Sequence, residues 1–163
     1  MSSIQMSQEE YLQFHVSSLL NQPRGRDPRR VFVIEHGRAF VPGALPATIR
    51  RMEIGQCYAN AQELALAHPE LTYVEGVAAG LTVRDHAWCV TGDGLVIDPT
   101  WREPESCAYF GIPFQTSYLK QVIDASRMSV RVLSEENEAI FRLDPLLFLA
   151  NVGGTPPWVW TWK

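Results

Sequence analysis

A mixed α+β domain is expected from two features of the chain. A segment entered through "GQC" at residues 55–57 reads as a helix as far as about His68, and three β-rich segments follow it at 71–79, 85–91 and 95–100. A helix that carries a cysteine, followed by an antiparallel sheet that carries a histidine and an aspartate, is an α+β arrangement. The 163 residues suit one domain with a sizeable core, and 46% apolar with 20% charged residues is ordinary for a globular chain.

Taken in order, residues 4–21 bear Ile4, Met6, Tyr11, Phe14, Val16, Leu19 and Leu20, and Ser7 with Glu10 is spaced as a capping box. A helix is therefore expected to begin near Ser7 and to end before Pro23. "PRGRDPRR" (23–30) reads as a solvated loop, and the β-branched "RVFVIEHGRAFV" (30–41) as a hairpin turned near Gly37. Pro42, Gly43 and Pro46 mark a loop. Pro69 stops the helix that starts at Cys57. "AYFGIPFQT" is expected to be a loop leading into a helix from about Thr116 to Ala125, and "YFGIPF" a rigid part of that loop. A last helix over 134–150 is interrupted or restarted near Pro145. The tail "PPWVWTWK" places Trp158, Trp160 and Trp162 on one face of a strand, which either closes the sheet or lines a substrate groove, and the same face is the candidate surface for a protein partner.

Charge and composition exclude several classes. A net charge of −4 with one small basic cluster argues against nucleic-acid binding, which needs clustered Lys and Arg. No apolar run is long enough for a membrane span, and "MSSIQMSQEEYLQFH" lacks the basic head and apolar centre of a secretory signal, so a cytoplasmic location is expected. Cys57, Cys89 and Cys107 are odd in number and irregularly spaced, so reduced thiols are expected rather than disulfides.

Three of the polar residues are the types needed for thiol chemistry. A cysteine nucleophile requires a thiolate, a base to hold its proton and a third group to fix the base's tautomer. Cys57, His86 and Asp98 supply these. A helix N-terminus favours the thiolate through its macrodipole and unpaired N–H groups, and the same N–H groups can hold an oxyanion. "GQC" entering a helix, then "HAW", then "VIDPTW" resembles the core of the transglutaminase-like superfamily, with its order Cys, His, Asp at short spacings of 29 and 12 residues (86 − 57 and 98 − 86). The resemblance covers about residues 52–101. It implies a transglutaminase-like (papain-like) fold in which Cys57 is the acyl-accepting nucleophile, His86 its base and Asp98 the group that orients His86. It further implies acyl transfer from a protein, peptide or other amide through a thioester, as in a peptidase, amidase, deamidase or transglutaminase-type enzyme, with no cofactor. No calcium-binding region accompanies the motif. The alternative is a non-catalytic protein-binding domain on the same fold.

Other residues have two readings each. Gln56 either donates its amide to an oxyanion or caps the approach to the helix. Trp88 and Trp101, beside the motif residues, either roof the thiolate–imidazolium pair or pack the core. His86 and Cys89 have a ligand-like spacing, yet positions 86 and 89 fall on opposite faces of a regular strand, so no metal site is expected. Cys89 and Cys107 read as buried thiols. His15, His36 and His68 have no partner pattern and read as surface or capping residues.

The triad makes a demand on the hairpin over 85–100. With a two-residue loop, Asp98 would face away from His86. With the three-residue loop Gly92-Asp93-Gly94, cross-strand partners sum to 186. Trp88 then faces Asp98, Cys89 faces Ile97, and His86 and Asp98 are diagonal neighbours on one face. Such loops end in a left-handed residue, and Gly94 stands there.

Overall fold

The computed structural model describes residues 6–20, 27–126, 131–134, 138 and 142–152. Helix α1 (Gln8–Leu20) opens with the expected capping box: the Ser7 N–H donates to Glu10 Oε2 at 2.8 Å and the Glu10 N–H to Ser7 Oγ at 3.2 Å. Helix α2 (Pro28–His36) and strand β1 (Arg38–Phe40) follow, then α3 (Cys57–Ala67), β2 (Thr72–Ala79), β3 (Val83–Val90) and β4 (Val96–Ile97). A 3-10 turn at Pro104–Ser106, β5 (Ala108–Phe114), α4 (Thr116–Ser126) and α5 (Pro145–Val152) complete the described elements. The antiparallel sheet has the order β1-β5-β2-β3-β4, so the last of the described strands is inserted between the first two.

One face of the sheet is covered by helices. Leu12, Phe32, Leu64, Leu119 and Phe148, one from each helix, pack there on Tyr73, Val77, Phe110, Ile112 and Phe114. A smaller cluster of Phe40, Val74, Ala78, Trp88, Val90, Val96 and Tyr109 fills the other face, with Trp101 and Cys107 packed against it. Burying one indole such as Trp88 removes on the order of 200 Å² from water, worth roughly 5 kcal/mol. Among the described residues no helix is long and apolar enough to cross a membrane.

Two expectations are corrected. Residues 30–41 form no hairpin: 28–36 are helical and only 38–40 are extended. The Asp27 side chain caps the helix by accepting the Arg29 N–H at 2.9 Å, Pro28 occupies the first turn, and the Gly37 N–H closes the end on Val33 O at 2.7 Å. Helix propensity separates Val or Ile from Ala by only some tenths of a kcal/mol, and burial of Phe32 and Val33 outweighs that. The basic stretch is thus no loop where it is described, because Asp27 to Arg30 are the cap and first turn of α2. Arg29 pairs with Asp27 and Arg30 with Asp85, both at 2.8 Å.

The second correction is that 108–114 is not a loop but the fully buried strand β5. Its glycine and proline read as loop punctuation, yet both are tolerated. Alternation of ladder bonds points the Pro113 nitrogen away from β2, toward a flank where β1 has already ended opposite Gly111, so the missing N–H costs no ladder bond. The helix expected over 116–125 is present as α4, and the restart at Pro145 as α5. Residues 135–137, 139–141 and the tail with Trp158, Trp160 and Trp162 lie outside the described residues, as does the side chain of His15. His36 sits in the last turn of α2, and His68 is the C-cap of α3.

The hairpin has the odd offset. Cys89 pairs with Ile97 and Val90 with Val96, and the Thr91 N–H donates to Leu95 O at 3.0 Å, which leaves Gly92, Asp93 and Gly94 as the loop. Gly94 has φ of 85°, a region that glycine occupies without a Cβ clash. On its outer flank β4 meets Val41, whose N–H donates to Gly94 O and whose carbonyl accepts from Val96.

Candidate active site

The approach to α3 is fixed from both ends. Gly55 takes φ of 87°, Gln56 is the N-cap residue and Cys57 is the first helical residue. One turn further on, buried Asn60 donates from Nδ2 to Glu53 O at 2.7 Å and to Thr100 Oγ1 at 3.0 Å. The Met52 N–H donates to Pro99 O at 2.9 Å, and the Arg51 guanidinium reaches the carbonyls of Trp101 and Arg102. Residues 51–60 are thereby stitched to 99–102, the segment that follows Asp98.

β3 and the turn after β4 bring the other two groups together. His86 Nε2 stands 2.8 Å from Asp98 Oδ2, with His86 2% and Asp98 0% exposed. β4 is shorter than the expected 95–100 because Asp98 Oδ1 turns back to accept the N–H groups of Thr100 at 2.8 Å and Trp101 at 3.3 Å, which ends the ladder. Asp98 Oδ2 also accepts the Tyr109 hydroxyl at 2.9 Å. With Nε2 committed to Asp98, Nδ1 is the imidazole nitrogen left for the Cys57 thiol, with which His86 interacts electrostatically.

The electrostatics follow from these contacts. Burial pushes the Cys57 thiol up, but its hydrogen bond to His86, the imidazolium charge and the N–H groups of Ala87 and Tyr58 outweigh burial and hold it below the ordinary thiol value. The Ala87 N–H is free to do this because it points to the outer edge of β3 beyond the end of β4. Burial alone would lower His86; the hydrogen bonds and charges of Asp98 and Cys57 reverse this and raise it to about 9. Asp98, pushed up by burial, is held below the usual carboxylate value by His86, the Thr100 N–H and the Tyr109 hydroxyl. Both shifts favour the charged thiolate and imidazolium over the neutral thiol and imidazole.

The remaining sequence candidates separate clearly. The Trp101 ring stacks on His86 at 4.4 Å and is part-exposed, so it covers the pair from solvent. Trp88 lies nearly parallel to His86 at 6.1 Å but is completely buried, so of its two readings the structure shows core packing, which backs the imidazole from within and leaves no exposed surface for an oxyanion or substrate. The Gln56 side chain is exposed beside Cys57 and makes no capping bond, which leaves its amide available. Cys89 projects to the helix-covered face, where its thiol donates to Ala61 O at 3.2 Å and burial pushes its pKa far up. His86 and Cys89 therefore point to opposite faces. Half-buried Cys107 donates to Glu103 O at 3.4 Å, and burial and Asp98 push it up to about 11.

Sequence reasoning missed Asn60 and Tyr109. Asn60 had a signal, since it lies three residues after Cys57 and so on the same side of the helix, where a buried polar group needs a partner. Tyr109 had none once its segment was read as a loop. Comparisons of the chain with family models, with curated proteins and with solved structures find no match for it.

Proposed function

We propose that the protein is a thiol-dependent acyl-transfer enzyme with a transglutaminase-like (papain-like) fold, acting on an amide of a protein, peptide or smaller molecule. The observation that carries this reading is the buried His86–Asp98 contact at 2.8 Å, with the Cys57 thiol on the first turn of α3 and electrostatically coupled to the same imidazole. The Cys57 thiolate attacks the carboxamide carbon. The developing oxyanion is held by the Cys57 N–H, which has no partner within the helix, and by the Gln56 amide. His86 gives its proton to the departing amine or ammonia, and a thioester remains on Sγ. Water or a second amine then attacks the thioester with His86 as base, and Asp98 holds the imidazole in one tautomer throughout. Free thiols suit a reducing compartment such as the cytoplasm.

The test is direct. Incubation with peptide and amide libraries, followed by acid quench and mass spectrometry, is expected to find an acyl adduct on Cys57 that is absent in Cys57→Ser. A Cys57 that forms no adduct and alkylates no faster than a free cysteine would instead favour a binding domain.

A further inference from the structure

Asp98 is wholly buried and yet accepts four hydrogen bonds. A carboxylate removed from water stays ionised only where donors replace the lost solvent. Three of its donors, the N–H groups of Thr100 and Trp101 and His86 Nε2, belong to the same hairpin region. The fourth, the Tyr109 hydroxyl, comes from β5 on the far side of β2.

The sheet is shaped to let that hydroxyl arrive. Opposite Tyr109 on the intervening strand stands Ala78, and opposite His86 stands Gly76. A Cβ on Gly111 would lie 2.8 Å from the Trp88 ring and 2.5 Å from Glu75 O. This lane of small residues lets the rings of Trp88 and Tyr109 lie across β2, edge to face at 5.1 Å. Phenylalanine would fill the same space, so packing does not account for the hydroxyl. Its partner does.

Resting on the reading of Cys57 as a nucleophile, we propose that Tyr109 is a positioning residue, which keeps Asp98 ionised and aimed at His86 so that the thiolate–imidazolium pair persists into acid. The titratable groups around Asp98 are His86 from β3, Tyr109 from β5 and the thiols of Cys89 and Cys107. Both thiols are kept protonated by burial and by Asp98 itself, and the Cys107 thiol also contacts the Tyr109 hydroxyl. Among the described residues none of these but His86 brings a positive charge. Loss of the Tyr109 O–H lets Asp98 take a proton at higher pH. A neutral Asp98 ceases to stabilise imidazolium, and Cys57 then regains its proton.

The experiment is iodoacetamide alkylation of Cys57, read by peptide mass spectrometry from about pH 3 to about pH 10, in wild type and Tyr109→Phe. The acid limb of the variant is expected to lie about one pH unit higher, so that alkylation there is about tenfold slower, with the neutral plateau within about twofold of wild type. A lower melting temperature with an unmoved acid limb would make Tyr109 structural and overturn the proposal. Should the phenylalanine variant fold poorly, 3-fluorotyrosine installed at position 109, a stronger donor, is expected to move the limb downward; an unmoved limb again overturns it. Failure of the nucleophile reading looks different: wild-type Cys57 would then alkylate only along the ordinary thiol titration near pH 8.5.

Discussion

Asp98→Asn is the substitution that most sharply separates a triad from a dyad. Each Asp98 oxygen accepts from two donors: Thr100 and Trp101 N–H on Oδ1, His86 Nε2 and Tyr109 O–H on Oδ2. A carboxamide has one acceptor and one donor end, so either orientation sets an NH2 against a pair of donors. With the oxygen kept on the loop amides, the NH2 faces His86 and favours the neutral ring with Nε2 as acceptor. Asp98 and Cys57 lift His86 from 6.5 to about 9 against the pull of burial. Removal of the Asp98 charge is expected to bring it down toward 6.5, a loss of up to about 3 kcal/mol of imidazolium stability. Cys57 then loses the imidazolium that holds its thiol below the ordinary value, and its alkylation at pH 6.5 is expected to slow by about tenfold or more. Stopped-time alkylation at fixed iodoacetamide, pH 4 to about pH 10, reads this directly. A variant that keeps its low-pH reactivity within about twofold would remove Asp98 from the mechanism. Stability carries a second signature. The raised His86 stabilises the fold fully below pH 6.5 and loses that contribution as pH rises through about 9, while the lowered Asp98 contributes above 3.8 and loses it as pH falls through its folded value.

Three further outcomes are expected. At pH 6.5, Cys57 alkylates well before Cys89 and Cys107, whose thiols are pushed up by burial; peptide mapping of a brief iodoacetamide pulse checks the order, and a faster Cys89 or Cys107 contradicts it. Glu75, buried on β2, accepts the N–H groups of Val132 and Leu133 and the Tyr73 hydroxyl, so Glu75→Ala strands three donors and is expected to cost about 3 kcal/mol or more in urea unfolding. A cost below about 1 kcal/mol would mean that those donors find other partners. Gly94→Val forces a β-branched residue to φ of 85° and is expected to cost about 1–2 kcal/mol while slowing Cys57 alkylation at neutral pH, because the loop sets the register that brings Asp98 to His86; unchanged alkylation would show that the register does not depend on this loop.

The parts legible in the sequence are those set by local rules. Ser7 and Glu10 mark a helix start by reciprocal capping, Pro69 marks a helix end, and the period of two in a strand fixes which loop length lets Asp98 meet His86. The parts that escaped are set by distant contacts. Val31, Val33 and Ile34 are strand formers by propensity, and only the burial of their helix against β5 and α5 makes them helical. Gly111 and Pro113 break a strand pattern locally, but a missing neighbour on one flank tolerates Pro113, and the Trp88 ring over Gly111 leaves no space there for a side chain. Tyr109 follows from β5 in the same way: no local pattern assigns a hydroxyl to an aspartate with two strands in between.

Because β5 is synthesised after the other four described strands yet lies between β1 and β2, the order of biosynthesis and the order of the sheet disagree. When residue 101 has left the ribosome, α3 and the β2-β3-β4 meander can already pair, since they are contiguous in the chain. Strand β2 then still exposes a bare hydrogen-bonding edge, and Asp98 has only its three local donors. Arrival of 108–114 closes that edge and delivers the fourth donor in one event. The nascent chain thus carries all three of Cys57, His86 and Asp98 before it has the strand that finishes their surroundings, so closure of the sheet and completion of the Asp98 hydrogen-bond shell fall in the same docking step.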